Sequence, residues 1–197
     1  MLAKSVIDKH YGNGPDLAMA IGAALAEQVR HIDADVVQLD EANLPGNPSE
    51  WQWAAASINR VFDAVKTTAA VHLCFGNYGG QTIQKGRWEN LINYLNALHV
   101  DHVVMETAHR PADELEIFRE LRPEIGFGLG VIDVKSTVIE TAEEVARSIE
   151  RAAKALGPDR IRYIHPDCGF WMLKRNIADG KTRAIVAGRD LYEGRSG

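Results

Sequence analysis

His72, Cys74, Glu106 and Cys168 carry the most chemistry in this chain. They fall in VHLCFG, VVMETA and YIHPDCG, segments that begin as apolar, β-branched strands and finish in a polar group able to bind a metal. Cys74 and Cys168 are the only cysteines. His72 and Cys74 stand two apart, so on a strand they point to the same face and can grip one ion from a single rigid element. Two thiolates, an imidazole and a carboxylate suit zinc. So electron-rich an ion activates water poorly. It can instead hold a substrate thiol as thiolate at neutral pH, ready to attack a methyl or other alkyl carbon. The ligand spacing is not that of a small zinc finger, which argues against a purely structural ion.

Each residue alone has a plainer reading. Cys74 can be a small buried hydrophobe, His72 a hydrogen-bonded core histidine, and Glu106 the partner of Arg110 or another base. What favours a metal is the joint pattern, with ligands at three strand ends. Other candidates are less specific. Asp40 and Glu41 are adjacent, so they face opposite ways on a strand; one can hold an ammonium group at the site, or the two can cap a loop. Asp133 and Lys135 share a face and read either as an acid with its orienter or as a structural ion pair. NYGG (77–80) can form an anion nest or a plain flexible loop. Trp51, Trp53, Phe170 and Trp171 can line a flat pocket, though packing explains each as well.

The elements that must position these residues alternate. Strands are expected at 36–41, 69–76, from 102, from 126 and from 161, and helices at 15–31, 50–67, through Trp88, Leu91 and Leu95, at 112–121, 141–156 and 176–187. Thr141 with Glu144 three residues on is a capping-box signature, and the tail GRDLYEGR reads as a solvated end. Five strands alternating with helices imply a parallel sheet. The two candidates are an open doubly wound sheet and a (β/α)8 barrel of TIM type. No GxGxxG follows the first strand, and the glycines of GFGLG lie inside a strand, where they permit close packing or a bulge. The polar strand ends favour the barrel, because only there do all C-terminal rims converge on one mouth. The whole of 1–197 reads as a single, partial barrel domain.

Composition is that of a globular protein, 46% hydrophobic and 25% charged. A net charge of −5 without a basic stripe argues against nucleic acid as the main partner. No apolar run is long enough to span a bilayer, and the start, MLAKSVIDKHYGNG, lacks a signal peptide's apolar stretch. So few cysteines suit a reducing cytoplasm.

Taken together, these segments resemble the C-terminal catalytic domain of the cobalamin-independent methionine synthases. VVQLDEANLP is similar to that family's QIDEP strand, VHLCFGNY to its HxC strand, VVMETA to its ET/EA strand, GLGVIDVKS to its GVYDIHS strand, and HPDCGF to its NPDCG strand, in the same order along nearly the whole chain. The resemblance implies zinc-dependent methyl transfer to homocysteine, giving methionine. It implies His72, Cys74, Glu106 and Cys168 as zinc ligands and Asp40 as the partner of the homocysteine amino group. Lys135 stands where the family has a histidine on the proton route to the departing folate nitrogen, which leaves the donor open between methyl-folate and a corrinoid such as methylcobalamin. Related alkyl transfer to another thiol, such as coenzyme M, and a non-catalytic zinc-binding fragment are the alternatives. The five strands correspond to the last five of the family's eight. The outer two would then be open edges, to be met by a partner chain or by self-association, unless the gene product is truncated.

Overall fold

A computed structural model describes residues 2–77 and 80–195 of the chain. Tyr78 and Gly79 of the NYGG loop lie outside the described residues, as do residues 1, 196 and 197.

The strands are β1 (Val36–Glu41), β2 (Thr68–Leu73), β3 (His102–Met105), β4 (Gly126–Ile132) and β5 (Ile161–Pro166). All neighbours are parallel, and the order in the sheet is the order in the chain. A doubly wound sheet reverses its strand order at a switch point; a sheet that never reverses is a run of barrel staves. The fold is therefore a five-stave segment of a TIM-type barrel. Among the described residues, no strand pairs with the outer edge of β1 or of β5.

The helices are α1 (Leu2–Ser5), α2 (Gly14–Val29), α3 (Trp51–Phe62), α4 (Ile92–Ala97), α5 (Ala142–Leu156) and α6 (Arg175–Tyr192), and Ala112–Glu120 forms a 3-10 helix between β3 and β4. Right-handed crossovers between neighbouring parallel strands put the helices on one face of the sheet. Alternation along the strands then decides what each side chain meets. Val71 and Leu73 of β2, Val103 and Met105 of β3, and Phe127, Leu129 and Val131 of β4 are buried in one core with Trp88, Leu91, Phe118 and Ile149. The intervening residues face the other side, the inside of a barrel.

Helix α5 shows how sequence writes this packing. Val145, Ile149, Ala152 and Leu156 recur at helical spacing and are its buried residues, and Thr141 and Glu144 form the expected capping box, which contributes about 1 kcal/mol. The C-terminal region departs from expectation. α6 runs past the expected end at 187 to Tyr192, and residues 191–195 are exposed, as expected of a solvated end, while Gly188 is buried against Val145 of α5. A Cβ there would come within 2.4 Å of the valine side chain, so a glycine keeps the two helices in contact.

Candidate metal centre

Asp40, His72, Val104 and Gly128 share one register row across β1 to β4 and so face the inside of the sheet together. Cys74 lies one step beyond the end of β2 on the same face as His72. Cys168 follows β5, and its sulfur is 3.9 Å from that of Cys74. One donor atom from each of His72, Cys74 and Cys168 lies within 4.8 Å of the others. Two thiolates on one tetrahedral zinc sit about 3.8 Å apart, given zinc–sulfur bonds of about 2.3 Å. Nε2 of His72 is buried and has no hydrogen-bond partner, leaving its lone pair free for an ion. Donor chemistry, sulfur spacing and orphaned nitrogen all fit a thiophilic metal.

The electrostatics of the trio are uneven. The Cys168 thiol is held down to about 4, first by its hydrogen-bond contact with Cys74 and then by His72. Cys74 is pushed well up by the same contact and by burial. Burial works against a charged His72, but Cys168, Asp40 and the Val104 backbone outweigh it and raise its pKa.

Glu106 is the residue that does not join. It is fully buried, and its Oε2 accepts from Lys135 Nζ at 3.0 Å and from the Phe75 N–H at 3.4 Å. Arg110 is engaged elsewhere, paired with Glu114 and lying over the Phe75 ring. Lys135 in turn is not ion-paired to Asp133, the arrangement considered from the sequence. Only its backbone N–H reaches Asp133 Oδ1, at 2.8 Å, and its ammonium goes to Glu106. Asp133 keeps its other oxygen 3.4 Å from His109 Nδ1, an exposed pair at the mouth. Spacing alone does not single out His109, although it stands only three residues after Glu106 beyond the same strand.

Asp40 and Glu41 separate as adjacent strand residues must. Asp40 is exposed on the inner face and accepts from Gln38 Nε2. Glu41 points the other way and accepts from the N–H groups of Asn43 and Leu44, capping the loop after β1. A cleft of about 430 Å³ runs beside β1 and takes in Gln38 and Asp40 along with Leu25, Leu39, Trp53 and Ile58. Trp51 and Phe170 pack on the core, whereas Trp171 is exposed and donates from Nε1 to the Asn77 carbonyl, tying the loop after β5 to the loop after β2.

Three supports escape a reading of spacing. The fully buried Asp167 carboxylate accepts from the N–H groups of Thr107, Ala108 and His109 at 2.7–2.9 Å, locking the turn after Glu106 to the strand end before Cys168. Burial pushes its pKa up to about 7 against the pull of those donors. It lies over Gly130, where no Cβ could be accommodated; the glycines of GFGLG thus serve packing. Trp88 donates from Nε1 to the Glu106 carbonyl. Lys181, fully buried on α6, donates to the carbonyls of Asp133 and Val138 and to both oxygens of Glu140, while Glu140 also accepts the Asp133 N–H. The loop bearing Asp133 and Lys135 is thereby pinned to α6.

Comparison with known proteins agrees with this geometry. Residues 1–188 match the family described as "Cobalamin-independent synthase, Catalytic domain". The chain is 32% identical to the 2-hydroxypropyl-CoM lyase of Xanthobacter autotrophicus, over 96% of this chain and 58% of that protein. It is 29% identical to the methionine synthase of Thermococcus kodakarensis, over 96% of this chain and 54% of that one. The structure of a B12-independent methionine synthase from Shewanella sp. W3-18-1 in complex with selenomethionine superimposes with a TM-score of 0.80 at 27% identity, over 95% of this chain and 57% of that one. A methyltransferase from Methanosarcina mazei, at 15% identity and a TM-score of 0.60, shares the fold. The chain spans about half the length of the curated relatives it matches. No helix among the described residues is long and apolar enough to cross a membrane. The chain belongs to the cobalamin-independent synthase catalytic-domain family.

Proposed function

We propose that this chain provides the metal-binding part of a zinc-dependent thiol methyltransferase, which moves a methyl group to the thiol of homocysteine and forms methionine. The observation that carries the reading is the convergence of His72, Cys74 and Cys168, one donor atom each within 4.8 Å, in a member of this family. Zinc held there would keep the substrate thiol deprotonated and nucleophilic. Asp40, exposed one strand away from His72, would take the ammonium group of homocysteine. In the transfer a sulfur–methyl bond forms as the bond from methyl to the donor breaks, and the departing donor needs a proton if it is a folate nitrogen. Lys135 is sequestered by Glu106, so the exposed pair of His109 and Asp133 is the better candidate for that proton. The rest of the barrel, from the same polypeptide or another, or a second copy at the open edges of β1 and β5, would complete the substrate pocket. A reducing, cytoplasmic setting suits two free thiols.

A second reading has its own support. The 32% identity to a protein named for coenzyme M favours alkyl transfer with that thiol or a corrinoid donor. Purified protein should hold about one zinc per chain, lost in Cys168→Ala. Supplied with the remaining barrel, it should transfer methyl from methyl-folate or methylcobalamin to homocysteine. Preference for coenzyme M would favour the second reading; protein that never retains zinc would remove both. Zinc binding without transfer to either thiol would leave a non-catalytic fragment.

A further inference from the structure

We infer that Asp167 is a positioning residue for the proposed reaction: it reaches across β4 to hold the turn after β3, and so sets where Glu106 and His109 stand relative to Cys168. The inference rests on the proposed metal centre and concerns the frame that shapes it.

Three observations carry it. The carboxylate is spent entirely on that turn. Oδ1 accepts from the N–H groups of Thr107 and Ala108 at 2.9 and 2.8 Å and Oδ2 from that of His109 at 2.7 Å, and the residue is 0% exposed. β4 is built to let the side chain pass. Asp167 stands at the end of β5 and the turn at the end of β3, with β4 between them in the sheet. A Cβ on Gly130 would come within 2.1 Å of Asp167 Oδ1, so any side chain there would block the crossing. Thr107 Oγ1 donates to the Gly130 carbonyl, which fastens the turn to β4 as well. Finally, the turn bears groups that the reaction uses. Glu106 immediately precedes the three donors; its Oε1 is buried without a hydrogen-bond partner while Oε2 stays on Lys135, so one oxygen is free for the ion. His109 is itself the third donor, and its Nδ1 lies 3.4 Å from Asp133 as the proposed source of the proton.

Cys168 is the next residue after Asp167, so one short, buried carboxylate fixes both sides of the site at once. Two acceptor oxygens are needed, because an amide in its place would turn an NH2 group towards an N–H that already donates. At least one buried N–H would lose its partner, and the turn would move to find another. Partners just outside a metal's ligands supply the placement on which its affinity depends.

The test is Asp167→Asn in the full chain, with Val145→Ala as the control, since Val145 is fully buried where α5 meets α6. Both variants should unfold at lower urea. Only Asp167→Asn should bind zinc about 10- to 100-fold more weakly, shift the absorption bands of the cobalt(II)-loaded protein and move the ring resonances of His109 in NMR spectra. Wild-type zinc affinity and an unchanged cobalt spectrum in Asp167→Asn overturn the inference while leaving the metal centre standing. Equal weakening in Val145→Ala overturns it as well, because zinc affinity would then follow stability alone. If Asp167→Asn does not fold, hydrogen exchange of the metal-free wild type decides. The amides of Thr107, Ala108 and His109 should be as protected as those of β3; exchange at the rate of exposed loops means that Asp167 does not hold the turn before the ion arrives, and overturns the inference. Wild-type protein that binds no zinc overturns both the inference and the metal centre.

Discussion

Cys74 and Cys168 are 94 residues apart in the chain, yet their sulfurs lie 3.9 Å apart, a contact that pushes the Cys74 thiol up and holds the Cys168 thiol down. The asymmetry follows from placement. Cys74 is buried at the end of β2, while Cys168 is more open beyond β5 and also feels His72. In metal-free protein Cys168 should therefore be the nucleophile, since alkylation needs the thiolate. Iodoacetamide at pH 6, followed by peptide mass spectrometry, should label Cys168 well ahead of Cys74. Labelling of Cys74 first would mean that the two thiols are shifted in the opposite sense.

Gly130→Ala should be among the most damaging single-methyl changes available. Its Cβ would lie 2.1 Å from Asp167 Oδ1, 2.7 Å from the Met105 carbonyl and 3.0 Å from the Thr107 nitrogen. Two of those atoms are backbone and cannot give way cheaply. We expect a loss of about 2–3 kcal/mol in urea unfolding, together with weaker zinc retention, because Asp167 joins the Glu106 turn to the Cys168 strand end. A variant as stable as wild type would show that the strands can separate locally at no cost.

How much of this was legible in the sequence depends on the range of the interaction. His72 and Cys74 could be placed on one face because strand alternation is local, and the barrel could be favoured because every strand ends in polar residues. Pairings between long side chains were not legible. From spacing, Lys135 belongs with Asp133 and Glu106 with Arg110, but the fold gives Lys135 to Glu106 and Arg110 to Glu114. Which of two nearby bases reaches a buried carboxylate depends on how two adjacent strand ends splay, which no periodicity encodes. Lys181 was hidden for a related reason: a lysine on a helix reads as solvated until the buried acceptors of another loop are known.

Lys181→Met should destabilise the protein by about 3 kcal/mol. It removes a fully buried ammonium and leaves Glu140, itself mostly buried, without its counter-ion. Local effects should exceed global ones. Hydrogen exchange at residues 133–140 should accelerate far more than in β2 or β3, because Lys181 is what fastens that loop to α6. Uniform acceleration across the sheet would mean that Lys181 supports the core and not the loop.

His102 should make the protein sensitive to mild acid. It is 3% exposed on the inner face of β3, with its ring 4.8 Å from that of Tyr163, and burial, helped by His165 and Arg162 and opposed by Asp101, lowers its pKa below 6.5. Above 6.5 the imidazole is neutral in folded and unfolded chains and the pH has no purchase on it. As pH falls below 6.5 the unfolded chain takes up a proton that the folded chain resists, so stability falls until the folded pKa is reached, by at most about 1.4 kcal/mol per pH unit. His165, also lowered by burial, acts in the same sense, whereas the raised pKa of His72 acts in the opposite one. The comparison must therefore be between variants. Urea unfolding of metal-free wild type and His102→Gln at pH 7 and pH 5 should show the variant losing about 1 kcal/mol less over that interval. Parallel pH dependence in the two proteins would mean that His102 accepts a proton in place, with Asp101 outweighing its burial.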